Sequence, residues 1–138
     1  KFLPFMGSYG IGVSRIPAAI IESSDKKDGV IWPVNVSPFR AIILNLDKKS
    51  DLVEEFCDNM YSRFIEDGID IFYDDRDERP GIKFSDADLL GIPFVIIIGK
   101  NYLKKKSVTI INKYSDKEIE IPESDAINQI KKLIKLDD

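Results

Sequence analysis

Phe94-Val95-Ile96-Ile97-Ile98 is a run of five residues without a polar side chain, bracketed by Gly91 and Gly99. A short run of β-branched and aromatic residues between turn formers reads as a strand buried on both faces. Such a strand needs cover above and below, so the chain must wrap helices around both sides of a sheet. Ala41-Ile42-Ile43-Leu44 is a second run of this kind. Asp51 to Asp67 follows it as an amphipathic helix, with Leu52, Phe56, Met60 and Phe64 at four-residue steps and Gly68 as its stop. Ile69 to Tyr73 reads as another strand. Phe84 to Leu90 reads as a short helix, opened by a Pro80-Gly81 turn and halted near Gly91. Ser107 to Asn112 and Glu118 to Ile121 flank the polar Tyr114-Ser115-Asp116-Lys117 and predict a hairpin. Glu123 to Leu136 closes the chain as a helix, with Ala126, Ile127, Ile130, Leu133 and Ile134 on one face. This order predicts an α/β fold: a mixed sheet of about five strands flanked by helices, its early strands parallel and Phe94–Ile98 central.

The N-terminal stretch has another character. Phe5 to Gly10 suits a short strand, and Ile11 to Ser24 a helix with Ile16, Ala19 and Ile20 at helical spacing. Pro17 fits only near its first turn. Asp25 to Gly29 is polar and turn-forming, and Trp32-Pro33 and Ser37-Pro38 punctuate an extended connector. Residues 1–30 are therefore expected to form a piece distinct from a domain over 31–138.

Composition removes several function classes. The chain of 138 residues has no histidine and one cysteine, Cys57. Histidine-based metal sites, Ser-His-Asp triads, multi-cysteine zinc sites and an intrachain disulfide are thereby excluded. A net charge of −4 argues against a general nucleic-acid binder, though not against recognition of a few unstacked bases. No apolar run approaches the roughly 18 residues that span a bilayer. KFLPFMGSYG lacks the apolar core and cleavage site of a signal peptide. A cytoplasmic location without membrane or DNA partners is expected. The chain does not begin with Met, so it is expected to start inside a larger protein.

Polar chemistry is densest between Tyr73 and Pro93. Asp74, Asp75, Asp77, Glu78, Asp86 and Asp88 alternate with Arg76, Arg79 and Lys83, and Phe84 opens the helix. Ligands of open α/β sheets bind beyond the carboxyl ends of the strands, and this stretch follows one. Asp74-Asp75 resembles a magnesium pair, but the interleaved cations neutralise it and no second cluster supplies ligands, so no metal is expected. A solvated salt-bridge loop is the plainer reading. Either Arg76 or Arg79 should pair with Asp75 or Asp77, Arg76 being favoured, and the other would be left for a phosphate.

Three ordered segments carry a resemblance. Gly7-Ser8-Tyr9-Gly10-Ile11-Gly12-Val13-Ser14-Arg15 resembles motif 3 of class II aminoacyl-tRNA synthetases. Trp32-Pro33, Ser37-Pro38-Phe39 and the stretch from Tyr73 to Pro93 resemble the C-terminal anticodon-binding domain of bacterial-type prolyl-tRNA synthetases. The resemblance covers essentially the whole chain, with its pieces in order. It implies the class II anticodon-binding fold over 31–138, preceded by a remnant of the catalytic domain. It implies that the intact enzyme ligates proline to tRNA(Pro) with ATP and Mg²⁺, as a homodimer formed through the catalytic domain. Arg15, Gly10 and Gly12 would meet ATP in that enzyme. Motifs 1 and 2 are missing here, so the chain alone is expected to be non-catalytic and cofactor-free. Within the resemblance, Phe84 would stack on an anticodon base and Asp88 would bind a guanine edge, with Lys83, Arg79 and Lys117 as further tRNA contacts. A family arginine just after Gly-x-Pro-aromatic falls on Val95 and is absent.

The chemistry of such a site can be stated separately. Proline codons are CCN, so the anticodon carries two guanines. Guanine presents two donors, N1–H and N2–H₂, which a carboxylate accepts as a bidentate pair. Phe84 and Asp88, four residues apart, share a helical face. The alternatives are core packing for Phe84 and a plain surface charge for Asp88. At the level of the whole chain they are a structural module of the same fold, a threonyl-, glycyl- or histidyl-type anticodon domain, or a small nucleotide-binding enzyme.

Overall fold

The computed structural model describes residues 3–23 and 29–135. Ser24, Leu136 and most of the expected boundary at 25–29 lie outside the described residues. Five strands form one sheet in the order β2-β1-β3-β4-β5: β1 Ala41–Asn45, β2 Ile71–Asp74, β3 Phe94–Ile98, β4 Ser107–Asn112 and β5 Lys117–Pro122. β1 pairs in parallel with β2 and with β3, and the β4–β5 hairpin continues the sheet antiparallel from β3. The apolar Phe94–Ile98 run is the middle strand.

The sheet is covered unequally. On one face α2 (Asp51–Glu66) and α5 (Glu123–Lys135) enclose the main core, where Val53, Cys57, Met60 and Phe64 meet Ile43, Ile96, Ile110 and Ile130. Burial pushes the Cys57 thiol up to about 12, so it stays protonated at neutral pH. On the other face α3 (Pro80–Leu90) covers only the middle, over Ile42, Leu44 and Val95. Phe72 and Ile111 remain half-buried at its flanks.

Several expectations are corrected. In α2 the inward positions are 53, 57, 60 and 64, and Leu52 is 58% exposed. A strict four-residue step drifts about 40° per turn from an α-helix, so alternating steps of four and three hold the core face. α3 begins at Pro80, not Phe84, because proline suits the first helical position, where no N–H is needed. The short α4 (Lys100–Lys105) was not foreseen. It is pinned by one buried residue, Tyr102, stacked on Phe56 at 4.4 Å with its hydroxyl donating to Glu123. The expected strand over Phe5–Gly10 does not form, since no described strand pairs with it. Beyond it the chain makes a 3₁₀ turn at Val13–Arg15 and α1 (Ile16–Glu22), neither of which buries a residue.

Candidate nucleic-acid interface

α3 arises because Pro80 presets the first turn and Gly91 ends the last in the left-handed region, at φ 66°. At about 100° per residue, Lys83 and Ala87 point into the sheet. Phe84 and Asp88 then fall on one flank of the helix, and Asp86 and Leu89 on the other. Phe84 is half-buried against the cluster around Val95. Asp88 remains 51% exposed and forms an ion pair with Lys113, just past the end of β4. The core reading and the stacking reading of Phe84 are thus not exclusive: its ring belongs partly to the core and partly to an open flank.

This flank lies at the amino end of β3. Lys113 N–H donates to Pro93 O at 2.9 Å, immediately before that strand. The expectation of a site beyond the carboxyl strand ends fits only the 74–79 loop; Asp88 sits at the opposite end of α3. The connector closes the same end. Trp32 N–H donates to Gly91 O at 3.0 Å, its indole donates to Leu90 O at 3.1 Å, and the Tyr114 hydroxyl donates to Trp32 O. Trp32-Pro33, whose place in the sequence motif had no mechanism, is therefore a strap joining the end of α3 to the hairpin turn.

The cations are dispersed. Lys83 is 1% exposed, and its ammonium donates to Asn45 O at 2.7 Å and Asp74 O at 3.1 Å, with the Asp74 carboxylate at 3.6 Å. It ties α3 to the ends of β1 and β2 and presents no charge to a ligand. Arg76 pairs with Asp74, through Nε at 2.9 Å and Nη2 at 2.7 Å, and with Asp86 at 2.7 Å. Its partners are therefore Asp74 and Asp86, not Asp75 or Asp77. Asp74 is 3% exposed, and the Arg76 bonds hold its carboxyl below the usual carboxylate range against the opposing effect of burial. The same bonds raise Arg76. This network edges a cleft of about 460 Å³ over Ile42, Phe72, Leu89 and Leu90, on the flank of α3 away from Asp88.

Arg79 is exposed at the start of α3, nine residues and about 13 Å from Asp88 along the axis. Lys117 pairs in register with Asn112, which pairs with Phe94, so it falls on the opposite sheet face. There it lines a cleft with Phe94, Ser115 and Leu133. Val95 is buried under α3. Arg15 is exposed, and a Cβ placed on Gly10 would meet no atom within 4 Å; on Gly12 it would meet only the Arg15 side chain, at 3.5 Å. Those three residues do not by themselves enclose a nucleotide. The structure thus brings together Phe84, Asp88 and Lys113, and keeps Lys83, Arg79 and Lys117 apart from them. Lys113 was not singled out in the sequence, because one lysine at a hairpin end carries no periodic or motif signal.

The profile of the family described as "Anticodon binding domain" matches residues 40–133, from the start of β1 into α5. The chain belongs to the anticodon-binding domain family. The proline–tRNA ligase of Gluconobacter oxydans is 43% identical over 94% of the chain, which spans 29% of that protein. The proline–tRNA ligase of Citrifermentans bemidjiense is 42% identical over 95% of the chain, which spans 23% of that protein. The chain thus spans less than a third of the curated relatives it matches. The prolyl-tRNA synthetase of Cryptosporidium parvum superposes with a TM-score of 0.73 over 83% of the chain and 24% of its own, at 23% identity, a likeness of fold.

Proposed function

We propose that this chain reads the anticodon of tRNA(Pro) as part of a prolyl-tRNA synthetase. The parent enzyme would join proline to tRNA with ATP and Mg²⁺ and pair into a dimer through its catalytic domain. Residues 1–30 would belong to that catalytic domain, where Arg15 would complete an ATP site with groups from elsewhere in the parent. The chain alone selects tRNA and does not activate proline.

One observation carries the reading: a half-buried aromatic and an exposed carboxylate, Phe84 and Asp88, share one flank of α3. The ring offers a face for an unstacked base, and the carboxylate accepts the N1–H and N2–H₂ donors of guanine. Arg79 and Lys117, at the far end of α3 and on the other sheet face, would meet backbone phosphates away from the base-reading centre. Lys83 supports the site from beneath, as the tie that sets the helix over the sheet.

The test is a titration of the chain with a proline anticodon stem-loop and with copies carrying adenine for either guanine, at low and moderate salt. Selective reading predicts weaker binding after a guanine change at both salt levels. Binding indifferent to the changes, or none, would assign the fold to a structural module instead.

A further inference from the structure

The geometry points to Lys113 as the phosphate-facing cation of this surface, one that pairs with the Asp88 carboxylate in the free protein and meets a nucleotide phosphate in the complex. This inference rests on the anticodon reading.

A carboxylate that reads guanine must sit within a few ångströms of a polyanion, in a chain whose net charge is already −4. Without a local cation the phosphates would oppose the contact. The cations suggested by sequence do not meet that need. Lys83 is buried under α3, Arg76 is bound to Asp74 and Asp86 on the far flank, Arg79 stands at the other end of the helix, and Lys117 lies across the sheet. Lys113 is beside the carboxylate, with its side chain 22% exposed.

Its backbone is fixed by the bond to Pro93 O, and the Tyr114 hydroxyl on Trp32 O anchors the next residue. The ammonium is thus held beside the Asp88 carboxylate on a backbone fixed at both residues. Lys113 meets Asp88 at Oδ1, leaving the other carboxylate oxygen and the unused lone pairs to a base. As guanine engages both oxygens, the ammonium gains a phosphate partner without leaving the site. Reading the base and neutralising the backbone then become separate tasks of adjacent residues.

The test uses the chain as it stands, with Lys113→Met, Lys113→Arg and Asp88→Asn, titrated with the proline anticodon stem-loop and its guanine-to-adenine copies across a salt series. Lys113→Met is expected to lower affinity at low salt and flatten the log–log salt slope by about 0.7, the loss of one single-strand phosphate contact. It should keep most of the guanine preference, and Lys113→Arg should restore the slope. Asp88→Asn should do the reverse, losing the preference while keeping the slope. A folded Lys113→Met with the parental slope, beside a parent that prefers guanine, overturns the role given to Lys113 and leaves the anticodon reading standing. A parent with no guanine preference overturns the anticodon reading, and this inference with it.

Discussion

Asp74 shows how one residue can be structural in a stretch that reads as a binding loop. It ends β2, accepts two side-chain bonds and one backbone bond from Arg76, and lies 3.6 Å from the Lys83 ammonium. Its folded-state carboxyl is held below the ordinary value of about 3.9. Its contribution to stability is therefore full above that value and is lost as pH falls through the lowered one. Denaturant melts of the parent and Asp74→Asn should differ most at pH 7, and the gap should close as pH falls below about 4. A gap independent of pH would contradict this origin. Lys83→Met keeps the aliphatic packing but leaves the carbonyls of Asn45 and Asp74 without their ammonium, at a cost of about 3 kcal/mol by urea unfolding. An unchanged midpoint would show that Lys83 is not the tie described here. Sequence alone could not separate Lys83 from a ligand-facing lysine. Its depth depends on α3 starting at Pro80, a matter of three or four residues at a helix boundary.

At the scale of elements, the strands were the most legible, because short apolar runs between glycines and prolines leave little choice of conformation or depth. All five lie where the sequence placed them, to within two residues at either end. The helices were legible where a long amphipathic face existed, as in α2 and α5, and not where one side chain anchors a single turn, as Tyr102 does in α4. The Phe84–Asp88 pairing follows from four-residue spacing and survives the shift of the helix start. The end of the sheet at which Asp88 lies does not follow from spacing, since it depends on α3 running back against β2 and β3. Gly91 is where this arrangement is most exposed to disruption. A Cβ there would lie 2.4 Å from Val30 O, on a backbone at φ 66°. Gly91→Ala should cost roughly 2 kcal/mol or more, by strain in the left-handed region and by pushing the connector off the helix end. A calorimetric melt showing a loss under 0.5 kcal/mol would mean that the connector yields freely and that Trp32 is no strap.

At the scale of the molecule, the chain is an α/β domain with an N-terminal stretch that shares little of its core. Leu3, Phe5, Met6, Tyr9, Ile11 and Val13 are all largely exposed, and α1 buries nothing. Deleting residues 1–22 should move the unfolding midpoint by no more than about 4 °C, close to 1 kcal/mol for a domain of this size. A larger loss would show that the stretch contributes to the domain's stability. The absence of histidine and the single cysteine left few catalytic or metal chemistries to consider, and the ordered motifs carried the family. The pairing of Asp88 with Lys113 joins residues 25 apart and becomes visible only once β3 and β4 have paired.

Whether the α3 flank reads guanine is decided by a double-mutant cycle between Asp88→Asn and a guanine-to-adenine change in the anticodon stem-loop, measured as equilibrium binding. Asparagine keeps the size of the side chain but no longer accepts both guanine donors. One of the two guanine changes is expected to weaken the parent by about 1–3 kcal/mol and to leave Asp88→Asn almost unaffected, a coupling of similar size. Equal losses in parent and variant for both guanines would place the recognition elsewhere on the domain.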